Sequence, residues 1–162
     1  MCARMLAECA AMGGNLLLDV GPRSDGSIPP EQVGVLESLG AWTSRVGEAL
    51  YETVAGLPHG HFYGASTLAK DRRTLYLFAF DRPTEGLAVK GIRNEVLAAD
   101  VLGFGPVGTR KIGGAPWAGL PGVLWVDIPE AAIDPLATVV RLRFASELDL
   151  YAGAGDPVTL NV

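Results

Sequence analysis

The chain has 162 residues, a net charge of −5, 49% hydrophobic residues and two cysteines. That length buries a sizeable core, and an acidic balance with no basic stripe interleaved with aromatics gives little support to nucleic acid as a partner. No apolar run approaches the ~20 residues of a membrane span, residues 1–12 lack the layout of a signal peptide, and nothing in the sequence sets a compartment.

Cys2, Met5, Leu6, Cys9 and Met12 recur at helical spacing and predict a helix with that face buried. Cys2 and Cys9 would lie ~10.5 Å apart along its axis, too far for a disulfide, and are expected as buried thiols. Next comes Gly13-Gly14-Asn15-Leu16-Leu17-Leu18-Asp19-Val20-Gly21-Pro22. Leu16 to Val20 is apolar without alternation apart from Asp19, the pattern of a strand covered on both faces in a parallel sheet. Gly21-Pro22 ends that strand, Asp25-Gly26 is a turn dipeptide, and Pro29-Pro30 with Glu31 opens a helix. The helix is expected from about Pro30 to Tyr51, with Val35, Leu39, Trp42, Val46 and Leu50 on its apolar face and Trp42 as a core anchor. Helix, strand, loop, helix is a repeat unit of α/β architecture, in which the loop leaving the C-terminal end of a strand houses chemistry. Asp19 sits at that edge. It is the candidate for contacting a ligand or orienting a catalytic neighbour, the alternative being a carboxylate that anchors the amides of the following loop.

A composition shift near Gly56-Leu57-Pro58 divides the chain into residues 1–55 and 60–162. Beyond it the sequence reads as short strands separated by Gly, Pro and Asp turns. Thr74 to Phe80 is apolar on both faces, whereas Val140, Leu142 and Phe144 alternate with Arg141 and Arg143. Glu147 to Tyr151 and Val158 to Val162 alternate similarly, joined by Gly153 to Pro157. Six to eight such strands predict an antiparallel β-sandwich. Gly103-Phe104-Gly105-Pro106-Val107-Gly108 spells G-x-G-x-x-G, but Thr109 to Pro116 has no helical period to meet a pyrophosphate, so a sandwich loop is expected there. His59 and His61 would share a strand face and could hold a metal, yet no third ligand is apparent, and Pro58 and Gly60 beside them point to a linker. Trp117, in the glycine-rich run Gly113 to Gly119, is a candidate for stacking on a sugar, against a default of packing.

The run GGNLLLDVGPRSDGSIPPEQ, followed by a helix ending Val46-Gly47-Glu48-Ala49-Leu50-Tyr51, resembles the last barrel strand and last barrel helix of the family twenty-nine glycoside hydrolases, the α-L-fucosidases. The usual wording there is close to N-G-N-L-L-L-N-[IV]-G-P-x-x-D-G-x-I-P, with a later N-G-E-A-I-Y. Gly13 replaces the commoner Asn, and Asp19 replaces the commoner second Asn. Tyr76 to Pro83 and Val123 to Pro129 carry a weaker likeness on to about Phe144.

The resemblance implies an α/β part followed by an all-β part: residues 1–55 as the incomplete end of a (β/α) barrel, residues 60–162 as an accessory β-sandwich. It implies a retaining exo-glycosidase that removes terminal α-L-fucose from glycoconjugates or oligosaccharides. The aspartate nucleophile and the acid/base carboxylate of that reaction lie upstream in the family's barrel, and neither motif is present here. Retaining hydrolysis needs two carboxylates ~5 to 5.5 Å apart, and Asp19 with Asp25 is not such a pair because Asp25-Gly26 is turn chemistry. No catalytic residue, cofactor or metal is therefore expected in this chain. The expected partners are a fucosylated glycan and the rest of the barrel, with no nucleic acid and no membrane. Family members are often secreted, periplasmic or lysosomal. A non-catalytic carbohydrate-binding or interaction module is the alternative from another class. Without barrel neighbours residues 1–55 are expected to be loose, and residues 60–162 to fold alone.

Overall fold

A computed structural model describes residues 1–151. It begins with helix α1 (Cys2–Ala11), followed by an irregular segment to Pro29, helix α2 (Pro30–Val46) and a 3-10 turn (Gly47–Ala49). Pro29 and Pro30 start α2 as expected, since proline's missing N–H is one of the donors a helix start leaves free anyway. α1 ends by a glycine device: Gly13 adopts φ +72°, its N–H donates to Ala10 at 3.0 Å, and the Gly14 N–H donates to Cys9 at 2.8 Å. This pairs two of the last carbonyls of the helix.

The expected strand at Leu16 to Val20 is not formed; residues 14–23 have no regular structure, and Leu17 is 86% exposed. The reason is physical: a parallel strand draws its hydrogen bonds from neighbours on both sides, and no described residue pairs with this one. The buried face of α1 also differs from the expected one. Ala3 and Ala7 are buried, Cys2 and Cys9 are half-buried free thiols, and Met5 and Met12 are exposed. Small side chains let the helix lie close on the sheet, while the larger apolar face is left outward.

Nine antiparallel strands follow among the described residues: β1 (Thr53–Ala55), β2 (Ala65–Ala69), β3 (Thr74–Ala79), β4 (Leu87–Val89), β5 (Val96–Val101), β6 (Gly105–Pro106), β7 (Thr109–Ile112), β8 (Val123–Val126) and β9 (Thr138–Phe144). Six form one sheet in the order β1-β2-β3-β9-β5-β6, and three form a second in the order β4-β8-β7. This is the β-sandwich the alternating pattern predicts. Leu75, Leu77, Val140, Leu142 and Phe144 fill the space between the sheets with Val89, Leu124 and Val126. On the other side of the large sheet, Tyr76, Phe78 and Val139 meet α1 and the second half of α2. Trp42 is fully buried there, tilted at 53° on Phe78 with ring centroids 6.5 Å apart, and its indole N–H donates to the Ala137 carbonyl at 2.9 Å. The helices are thus packed rather than loose. Most of residues 13–28, and the outward face of α2 at Val35 and Leu36, are exposed.

Gly56 has no room for a side chain, since a Cβ there would clash with the Ser66 carbonyl, and its N–H donates to the Ala11 carbonyl at 3.3 Å. Just before it, Thr53–Ala55 is the edge strand of the large sheet. Glu147 to Tyr151 is a bend and loop, with Leu150 bridging Ile92, in place of a strand. Val158 to Val162 and its connection lie outside the described residues. No helix among the described residues is long and apolar enough to cross a membrane.

Candidate functional site

The segment between the two helices is held at one end by Gln32, whose side-chain oxygen accepts from the Gly21 N–H at 2.9 Å. At the other end Asp25 builds the turn expected of Asp-Gly. Its Oδ1 accepts from the Ser27 N–H at 2.9 Å and the Ser27 hydroxyl at 2.7 Å, while the Arg23 N–H donates to the Ser27 carbonyl at 2.8 Å. The Ser27 hydroxyl, with the Ser27 amide, holds the Asp25 carboxyl below the usual carboxylate range. That carboxylate is consumed by the turn. Asp19, between the two ties, is exposed and makes no hydrogen bond to another described residue. Among the described residues the loop's amides are held by Gln32 and Asp25 rather than by Asp19.

Directly below α2 lies a charged row that the sequence does not reveal on its own. Tyr76, Arg141 and Asp100 stand directly opposite one another on β3, β9 and β5, so their side chains share one face of the large sheet. Glu48, from the turn after α2, closes the row. Both its carboxylate oxygens accept from Arg141 Nη1 at 2.9 Å, and Oε2 accepts from the Tyr76 hydroxyl at 3.1 Å. Arg141 Nη2 meets Asp100 at 2.9 Å, and Arg143 stands 3.9 Å from the same carboxylate. Burial, with the negative charge of Glu48, pushes the Tyr76 hydroxyl up to about 12. Burial opposes the Arg141 charge, but hydrogen bonds to Asp100 and Glu48 outweigh it and hold the guanidinium above its usual value. The groups of this row bond one another, and the row fixes the turn after α2 to the sheet. The one signal available in the sequence was Glu48 inside Val46 to Tyr51.

The remaining candidates separate cleanly. Trp117 is 88% exposed in the loop between β7 and β8, which is closed behind it by Ala115 N–H to Leu120 O at 2.9 Å and Leu120 N–H to Ala115 O at 3.1 Å. The ring therefore does not take the default packed position. His59 lies in a turn and His61 in a bend, not on a strand; His61 Nδ1 donates to the Lys90 carbonyl at 2.9 Å. Leu102 to Phe104 forms the turn between β5 and β6, and Thr109–Ile112 is a strand, so no helix N-terminus faces that glycine motif.

A family model described as alpha-L-fucosidase matches residues 2–48, from the first residue of α1 to the turn after α2. The alpha-L-fucosidase of Dictyostelium discoideum is 33% identical over 105 residues, spanning 61% of this chain and 22% of the relative. That of Branchiostoma floridae is 27% identical over 146 residues, spanning 86% of this chain and 31% of the relative. Among solved structures, alpha-L-fucosidase isoenzyme 1 from Paenibacillus thiaminolyticus superposes with a TM-score of 0.75 at 30% identity, over 90% of this chain and 34% of that one. The alpha-L-fucosidase from Vibrio sp. strain EJY3 superposes at 0.79 with 23% identity, a likeness of fold, over 91% of this chain and 26% of that one. The chain thus spans between a fifth and about a third of the length of these four relatives, namely a C-terminal portion of them.

Proposed function

We infer that this chain, which belongs to the α-L-fucosidase family over the C-terminal portion of its members, supplies the end of the catalytic barrel and the accessory sandwich to a retaining hydrolase of terminal α-L-fucose. The observation that carries this is the coincidence between the matched residues 2–48 and the part of the chain left incomplete: a helix, an unpaired apolar segment and a second helix. In a retaining hydrolase one carboxylate attacks the anomeric carbon, while a second, ~5 to 5.5 Å away, protonates the departing oxygen and later activates water. Both belong to the part of the barrel outside this chain. Within it, Leu16 to Val20 becomes the closing strand once neighbouring strands pair with it. Asp19 then stands at the strand end facing the pocket, as a contact to substrate or a support for a catalytic neighbour. Trp117 is the candidate ring for stacking on a glycan sugar.

The chain alone is inactive on this reading, because an incomplete barrel cannot hold two carboxylates at the required separation. Purified chain incubated with 4-nitrophenyl α-L-fucoside should release no nitrophenol above the rate in buffer. Turnover abolished by Asp19→Ala would place the active site within these residues and overturn the assignment.

A further inference from the structure

A cleft of about 810 Å³ opens between α1 and the near edge of the sandwich, with walls formed by the chain from Leu57 to Ser66 and from Phe78 to Ala88. Its size falls in the range of small-ligand sites. Three features define its chemistry. The first is aromatic: the Tyr63 ring is fully exposed at the rim, and Phe80 lies deeper. The second is a guanidinium held from two sides, since Arg4 lies over the Phe80 ring at 4.9 Å and its Nε donates to Glu8 Oε1 at 2.8 Å. Those contacts set its orientation and leave its terminal N–H groups free to donate. The third is charge balance. Arg4 is paired with Glu8 and Arg82 with Glu130 at 3.0 Å, which leaves Asp81 without a direct ion-pair partner among the described residues. Asp81 lies close enough for its charge to act on Arg4, after the stronger effect of Glu8.

A site so balanced gives no advantage to an anion. Phosphate, sulfate and carboxylate would meet two already neutralised guanidinium groups and an uncompensated carboxylate. What fits an exposed ring face, a fixed fork of donors and acceptor carboxylates is a ligand with an apolar C–H face, adjacent hydroxyl groups and no charge. We propose that this cleft binds a neutral saccharide, with Tyr63 stacking on the sugar's C–H face, Arg4 donating to hydroxyl oxygens, and Asp81 with the second oxygen of Glu8 accepting from hydroxyl groups. The site is formed wholly by residues of this chain, so it goes beyond the fucosidase assignment and is tested without the barrel.

The test is an amide-resolved NMR titration of the full chain with lactose, repeated with sialyllactose as the anionic counterpart. Lactose should give saturable shifts at Tyr63, Phe80 and Asp81 with a dissociation constant of about 1 mM, and sialyllactose should bind more weakly. Tyr63→Ala removes a fully exposed ring, so its spectrum should remain that of the folded chain while affinity falls about tenfold or more. Absence of saturable shifts up to tens of millimolar would overturn the proposal. So would tighter binding of sialyllactose, or binding that survives Tyr63→Ala and is lost in Trp117→Ala.

Discussion

At Gly13 the chain leaves α1 with φ +72° and open space where a side chain would be, so the demand at this position is conformational and not steric. Glycine meets it freely, and asparagine is the other residue that adopts this conformation routinely. That accounts for the exchange of Gly13 with the Asn commoner in the family. Gly13→Asn should leave thermal stability nearly unchanged, whereas Gly13→Val should cost about 1–2 kcal/mol, as read from chemical denaturation. Asp19 presents the opposite case, a departure with no hydrogen-bonded partner among the described residues. In the isolated chain Asp19→Ala should leave the denaturation midpoint where it was. In an enzyme completed by a barrel, the same substitution should lower kcat/KM by ~10- to 100-fold, as for groups that support a site. A loss of stability without a kinetic effect would make Asp19 a loop anchor after all.

Among the elements, α2 shows how one helix serves two neighbours. Its second half is fixed to the sheet by Trp42, whose indole satisfies a buried carbonyl 95 residues away. Trp42→Phe keeps an aromatic ring but strands that carbonyl, and should destabilise the fold by about 1–3 kcal/mol in urea unfolding. The turn after α2 is fixed by Glu48 to the row Tyr76, Arg141 and Asp100. The raised Tyr76 value has a definite consequence for pH. Tyrosine ordinarily loses its proton at 10.0, and in the folded chain Tyr76 holds it to about 12. The folded state therefore binds this proton more tightly than the unfolded state. The stability this contributes is complete below pH 10 and is lost as the pH rises to about 12. Urea midpoints measured across that window should fall more steeply for the wild type than for Tyr76→Phe. Equal slopes would mean that the hydroxyl is neither buried nor held by Glu48 as described.

Across the whole molecule, what was legible in the sequence was whatever follows a local period. The alternation of Val140, Leu142 and Phe144 placed β9, and the apolar run from Thr74 placed β3, because a strand's two faces are written into neighbouring residues. The Glu48 to Arg141 pair was not legible, since it joins residues 93 apart through a register that only folding sets. The aromatic cleft escaped for the same reason, being assembled from α1 and two separate connections of the sandwich. Leu16 to Val20 is the instructive case. Its apolar pattern describes a strand covered on both faces, yet the cover and the pairing partners are not among the described residues, so the pattern is present and the strand is not. Amide hydrogen exchange on the monomeric chain tests this most directly. Strong protection is expected at Leu75 to Phe78 and Val139 to Leu142, where both sides of the strand are paired, with exchange close to the unprotected rate from Leu16 to Val20. Protection of Leu16 to Val20 equal to that of β3 would show that this segment completes a fold of its own, and would contradict its assignment as the closing strand of a barrel built elsewhere.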